Sequence, residues 1–476
     1  MPLTPRFDPR FPALGPDFAD AVEAADFPQA ILRFRNDRAA ADLGLEGLTD
    51  DQWLAAFARF EPLDAAFGKP LAMRYHGHQF RTYNPDIGDG RGFLLAQLRD
   101  ARGRLIDLGT KGSGRTPWSR DGDGRLTLKG AVREALASEM LEALGVPTGR
   151  TLSIVETGEE LKRHDEPSPT RGAVMVRSLW SHIRFGAFQR HAWFDRRDLI
   201  ETLIDHVAEA YYPALAETTG EARAVALLEA ITRASARLAG RWMAAGFVHG
   251  VLNTDNLNVT GESFDYGPWR FVPFYEPGFT AAYFDEGGLY AFGRQAEAVF
   301  WNLQQLAACL ALVVEDHAPL IEALNGFSDA YHGGLREAFT ARLGVKSRGQ
   351  EPDSALTIAA LTFLREAGEP MRWEPLLFDW FGGMASAARA TSGARAALYA
   401  GPAFEAFKAA LEGYEPLRSD ALDLAYFARS DPEEMLYPEV EAIWAKIAET
   451  DDWSAFHTKL AAIRRAAEAY GLTPFN

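Results

Sequence analysis

The segment Gly88-Asp-Gly90-Arg91-Gly92 has the composition of a phosphate cradle, because glycine carries no Cβ to hold a backbone away from phosphate oxygens. A plain hairpin turn uses the same glycines, so its meaning depends on the residues downstream of it. Lys111 is a cation suited to phosphate oxygens, and Glu134, further on, is a carboxylate able to orient it. A second cluster reads His249-Gly-Val-Leu-Asn-Thr-Asp-Asn256, with Asp265-Tyr-Gly267 shortly after. Asn256 and Asp265 offer oxygen ligands to a hard cation such as Mg2+, and Asp255, beside them, is a carboxylate that could take a proton. The bland alternative is a His-Gly turn followed by an Asn/Asp-rich loop.

These residues need elements to hold them. Gly92-Phe-Leu-Leu-Ala-Gln-Leu98 and Arg104-Leu-Ile-Asp-Leu-Gly-Thr-Lys111 flank Asp100-Ala-Arg-Gly103, which predicts a β-hairpin ending on Lys111. Leu128, Val132, Leu136, Met140 and Leu144 recur every four residues and stop at Gly145-Val-Pro147, predicting a helix that carries Glu134. Two β-like runs, 151–156 and 173–177, follow across a charged, Pro-containing loop, and a long helix is expected over about 222–245. Residues 1–70 read as an irregular entry with short helices, one of them capped by Thr49 with Gln52 in the capping-box position. The stretch 315–476 is Ala-rich and helical, without a fixed repeat.

Gly loop, strand lysine, helix glutamate, then a His…Asn loop and an Asp-x-Gly triplet follow the order of a protein-kinase nucleotide site. That order predicts an α+β, kinase-like, two-lobed fold. The expected divisions are an extension over 1–70, a small β-rich nucleotide-binding lobe over 71–190, a larger α-helical lobe over 191–320 and a helical region over 321–476. In that register Val251 falls where a kinase has its catalytic aspartate, and valine cannot accept a proton. Nucleotide binding follows from the pattern; phosphoryl transfer to a hydroxyl does not.

Charge supports an anionic ligand. The 476-residue chain carries 49 Lys/Arg against 66 Asp/Glu, a net charge of −17, which disfavours nucleic acid and anionic lipid as general partners. Yet from Arg91 to Glu134 ten Lys/Arg face five acids, and from Arg171 to Arg190 four arginines occur with no acid. Charge runs usually mark a solvated face, but two such islands beside a Gly loop suit a triphosphate. The one cysteine, Cys309, lies in an apolar run and reads as a buried core thiol, and no zinc framework is possible. His76-Gly-His78 lacks a third ligand at useful spacing and reads as a pair of hydrogen-bonded structural histidines. No signal peptide or bilayer-spanning run is apparent, so a cytoplasmic protein is expected.

Taken together, Tyr75-His-Gly-His-Gln-Phe80, Gly88-Asp-Gly-Arg91, Lys111-Gly-Ser-Gly-Arg-Thr-Pro-Trp-Ser-Arg120 and Asp123-Gly-Arg125 resemble the selenoprotein O family of protein adenylyltransferases. So do Val132-Arg-Glu134, Ile183-Arg-Phe-Gly186, Gly246 to Asn256 and Asp265-Tyr-Gly-Pro268, over about residues 40 to 310. The resemblance implies a pseudokinase-like fold that binds ATP inverted, so that AMP passes to Ser, Thr or Tyr hydroxyls of proteins, self-modification included, and pyrophosphate leaves. It implies that Gly88, Gly90, Arg91 and Lys111, with Asp123, Gly124, Arg177 and Arg184, hold the nucleotide. Asn256 and Asp265 would bind Mg2+ or Mn2+, Asp255 would be the base, and Glu134 would pair with Lys111.

Three departures from the family pattern stand out. Members commonly carry a cysteine or selenocysteine near the C-terminus, whereas this chain reads Tyr470-Gly-Leu-Thr-Pro-Phe-Asn476, so thiol control through that tail is not expected. Arg81 replaces a glycine after Gly77-His-Gln-Phe80, and the last third diverges. The competing readings are a kinase of proteins or small molecules and a silent nucleotide-binding scaffold, with uridylyl transfer from UTP as a variant of the first reading.

Overall fold

Short runs of Leu, Val and Ile bounded by Gly and Asp turns become strands here because their side chains are covered on both faces. The structure is a computed structural model describing residues 4–164, 166–367 and 370–472; the tail residues 473–476 lie outside the described set. Its strands begin with β1 (Arg6–Phe7), β2 (Ala19–Ala21), β3 (Ile31–Arg35), β4 (Leu71–Met73), β5 (Gly77–Gln79) and β6 (Thr82–Asn84). They continue with β7 (Leu94–Arg99), β8 (Leu105–Lys111), β9 (Leu126–Thr127), β10 (Arg150–Leu161) and β11 (Thr170–Leu179), then a late pair, β12 (Phe247–Val248) and β13 (Arg270–Phe271). One nine-stranded sheet runs β2-β4-β7-β8-β11-β10-β3, with β1 paired to β7 and β9 to β11, all antiparallel.

The expected β7–β8 hairpin forms, and Asp100 holds its turn by accepting from the Arg102 and Arg104 amides at 2.9 and 2.8 Å. The helical reading of residues 1–70 is incomplete. Helices α1 (Asp37–Asp42) and α2 (Asp50–Phe57) are present, the latter with its Thr49–Gln52 capping box, but β1, β2 and β3 also join the sheet. Strands of two to five residues carry too little alternation to register as a pattern.

Helix α3 (Leu128–Ala143) starts at Thr127, whose Oγ1 accepts from the Gly130 amide at 3.1 Å, and ends at Gly145 with φ +77°. The chain then runs through α4 (Phe185–Trp193), α5 (Arg197–Tyr211), the long α6 (Gly220–Ala244), α7 (Gln295–Leu310), α8 (Ala318–Asn325) and α9 (Phe327–Arg342). It closes with α10 (Gln350–Glu366), α11 (Trp373–Asp379), α12 (Ala387–Ser392), α13 (Pro402–Leu411), α14 (Tyr437–Thr450) and α15 (Ser454–Tyr470). The fold is thus mixed, with an antiparallel sheet early and helices late.

The largest core cluster joins the α3 face of the sheet to α4–α7 and to α14 and α15, while Trp53 and Phe57 cover the other face. A separate cluster around Phe363, Trp373 and Trp380 stabilises the C-terminal helices. Helix α15 returns to pack on α3, its Phe456 also meets Phe34 of β3 edge-on at 5.7 Å, and α14 joins α3 through Lys129–Glu441 at 2.7 Å. Cys309 is buried in α7, and burial pushes its thiol up to about 12. Among the described residues, no helix is long and apolar enough to cross a membrane.

Candidate active site

The sheet places Lys111 at the end of β8 and Arg177, which pairs with Gly109 two residues before it, near the end of the adjacent β11, and α3 brings Glu134 to both. Lys111 Nζ donates to Glu134 Oε2 at 2.5 Å, and Arg177 Nη1 donates to Glu134 Oε1 at 3.0 Å. The two cations therefore share one buried carboxylate. Burial lowers the Lys111 ammonium from its ordinary range, and Glu134 and Asp265 work against that shift.

From the other side comes the loop after β12. His249 is fully buried, and its Nε2 meets the Phe264 carbonyl at 2.8 Å, so the ring supports the backbone just before Asp265. Asp265 sits at φ +60°, a left-handed conformation that a non-glycine residue holds only when its surroundings impose it. Its carboxylate accepts from Arg177 Nη1 on one oxygen and from Arg184 Nη1 at 2.6 Å on the other, with Lys111 Nζ 3.4 Å away. Burial alone would raise this acid, but Arg184, Arg177 and Lys111 outweigh it and hold the group well below the usual carboxylate range. Arg184 is itself clamped between the Tyr75 and Phe264 rings at 4.9 and 4.8 Å and also donates to the Asp255 carbonyl at 2.5 Å.

Asp255 differs. Burial pushes its carboxyl up to about 6, with Arg184 partly opposing, and its Oδ1 is buried without a hydrogen-bond partner. Asn256 follows it on a short 3-10 turn. Among the described residues no cluster of three His, Cys, Asp or Glu could hold a metal alone. The Asn256 amide and the ionised Asp265 fit a hard cation that takes its remaining ligands from phosphate or water, and the unpartnered Asp255 oxygen beside them is left for a proton.

Tyr75, Lys111, Arg177, Arg184, Asp255, Asn256 and Asp265 line one cavity of about 810 Å³. Gly88, Gly90 and Arg91 form one edge of it, and Asp123 and Gly124 another. The glycines are demanded by the protein itself. A Cβ on Gly88 would lie 2.5 Å from the Trp118 indole, and one on Gly124, at φ +71°, would lie 2.2 Å from the Gly114 carbonyl. Asp123 is pinned by Arg163, whose Nη1 donates to its Oδ2 at 2.8 Å.

Asp89 and Trp118, which stand inside the quoted motifs without a role of their own, also line the cavity, as do Lys162 and Arg163, which no motif contains. The charged loop between β10 and β11 was legible as charged, but only the sheet curls its Lys162 and Arg163 over the opening. The histidine pair is hydrogen-bonded: His76 Nδ1 to Tyr83 Oη at 2.8 Å and His78 Nδ1 to Gln189 Nε2 at 2.7 Å.

A family model described as protein adenylyltransferase SelO matches residues 2–377, a longer stretch than the motifs alone span. The chain is 53% identical over 348 residues to "Protein nucleotidyltransferase YdiU" of Synechococcus elongatus, covering 72% of this chain and 69% of that one. A protein of the same name from Gloeobacter violaceus is 45% identical over 474 residues, covering 96% of this chain and 95% of its own. The like-named protein of Pseudarthrobacter chlorophenolicus is 40% identical over 340 residues, with 70% and 67% covered. On this extent of similarity the chain belongs to the SelO family and is an enzyme of the nucleotidyltransferase class.

Proposed function

We propose that the protein moves AMP from ATP onto Ser, Thr or Tyr hydroxyls of proteins, its own chain among them, and releases pyrophosphate. The single observation that carries this reading is Asp255: an unpartnered buried carboxyl oxygen in the cationic cavity, while Val251 occupies the place of a kinase's base. The fold would work as a kinase-like pair of lobes, 71–190 and 191–320, flanked by 1–70 and by 321–476.

In this reading Gly88, Gly90 and Arg91 with Lys111, and Asp123 and Gly124 with Arg177 and Arg184, grip an inverted triphosphate. Asn256 and Asp265 would hold Mg2+ or Mn2+, which when bound offsets phosphate charge. The substrate hydroxyl oxygen forms a bond to the α-phosphorus as the bond from that phosphorus to the β-bridging oxygen breaks. Asp255 takes the hydroxyl proton and later yields it to water. Lys111, Arg177 and Arg184 neutralise charge growing on the phosphate oxygens and the departing pyrophosphate. Glu134 keeps Lys111 and Arg177 in place through the two hydrogen bonds they donate to it. A single buried thiol suits a reducing cytoplasm.

Intact-mass measurement after incubation with ATP and Mg2+ tests the proposal. Addition of AMP to the chain or to an added protein supports it. Addition of phosphate alone would establish a kinase, and binding of ATP without any mass change would establish a scaffold. Repeating the incubation with UTP and Mn2+ reads nucleobase and metal preference.

A further inference from the structure

A second cavity, of about 580 Å³, shares no lining residue with the first. It opens along α6, where two stripes repeat every four residues: Ala230, Ala234 and Leu238 on one, Arg233, Arg237 and Arg241 on the other. Pro147, Trp180 and Tyr212 extend the apolar floor, and Arg102 and Arg104 add cations from the β7–β8 turn. Among the described residues, Glu262 is the one acid that lines the same space, and burial raises it to about 7.

The arginines are not idle. Arg104 lies over the Trp180 ring at 5.5 Å and is ion-paired with the buried Asp100 at 2.7 Å, Arg233 pairs with Glu229 at 2.6 Å, and Arg237 donates to Glu337 at 3.0 Å. Glu229 and Glu337 are both more than half exposed and lie outside the cavity, so those pairs are weak and exchangeable. Burial and the neighbouring Arg237 already lower the Arg241 guanidinium from its ordinary value. Arg233, Arg237 and Arg241 stand one helical turn apart beside the apolar floor, so an anion seated among them can accept charge-assisted hydrogen bonds from all three. The volume lies in the range of small-ligand pockets.

We propose that this cavity binds a small organic anion with an apolar body, its carboxylate or phosphate held by Arg233, Arg237 and Arg241 and its body laid on Pro147, Trp180 and Leu238.

The test is calorimetric titration of the full chain with octyl phosphate and with octanoate, each kept below micelle formation. Octyl glucoside serves as the uncharged body and inorganic phosphate as the anion without a body. One of the two amphiphiles should bind saturably, about tenfold or more tighter than either control. The tighter head group tells phosphate from carboxylate. Arg233→Gln combined with Arg237→Gln should weaken that binding about tenfold or more. Ala230→Phe, which fills the floor and leaves every arginine, should weaken it too while keeping the parent's melting temperature. No saturable binding, unchanged binding in both variants, or inorganic phosphate binding as tightly as the amphiphile would overturn the proposal. So would displacement of the amphiphile by saturating ATP, which would put it in the first cavity instead. None of these outcomes depends on whether AMP transfer occurs.

Discussion

At the scale of single residues, two aspartates of one cavity meet opposite environments. Asp265 is surrounded by Lys111, Arg177 and Arg184 and stays ionised, whereas Asp255 has a bare buried oxygen and a raised proton affinity. Asp255→Asn keeps shape and removes basicity, so AMP transfer should fall by a factor of about 10² to 10⁴. ATP affinity measured by calorimetry should stay near the parent's; an equal loss of affinity would make Asp255 a binding group instead. Glu262 offers a separate prediction about stability. Its carboxylate accepts from the Trp180 amide at 2.7 Å, yet burial lifts it from the ordinary 4.5 to about 7. Between those values the folded chain holds a proton that the unfolded chain has released, so stability falls as pH rises across that window and levels off above it. Glu262→Gln removes the dependence. Its stability relative to the parent should be about 2 kcal/mol higher at pH 8 than at pH 5, read by urea denaturation. A difference that ignores pH would refute the assignment.

At the scale of elements, α3 matters most, because it presents Glu134 to two cations of the site. Thr127→Ala should cost about 1 kcal/mol of stability, seen as a lower melting temperature, since the Gly130 amide loses its acceptor. An unchanged melting temperature would mean that water replaces the cap. The helix itself was readable from its four-residue apolar repeat. The strands after it were readable only in part. The runs at 151–156 and 173–177 extend in the structure to 150–161 and 170–179. The added residues are largely charged or polar and stay in the ladder partly because Arg171 pairs with Glu156 across it at 2.6 Å. Such cross-strand pairing is invisible to a hydrophobic period.

At the scale of the whole molecule, the last helices brace the first strands. Helix α15 packs on α3, and Phe456, fully buried, meets Phe34 of β3. Arg171 on β11 reaches Asp451 at 2.7 Å, and Arg464 approaches Glu139 of α3 at 3.4 Å. Phe456→Ala should therefore cost about 3–5 kcal/mol in denaturant unfolding and lower the unfolding midpoint of the sheet as well as of α15. If the variant loosened α15 alone, with hydrogen exchange in β8 and β11 unchanged, the bracing role would be wrong. Nothing between residues 321 and 476 advertises this contact. A buried phenylalanine in a helix looks the same whichever surface covers it.

Residue types and spacings suffice for the parts and their order: a glycine turn, a strand lysine, a helix glutamate, a His…Asp-Asn loop, an Asp-Tyr-Gly triplet, and basic islands in an acidic chain. Those features are local, and glycine freedom, helical period and charge density act over a few residues. It takes the folded chain to close Lys111, Arg177 and Arg184 on Asp265 while Asp255 keeps a bare oxygen, and to bring Lys162 and Arg163 to the same cavity. These groups stand far apart along the chain, and both their attraction and their proton affinities depend on how deeply folding removes them from water.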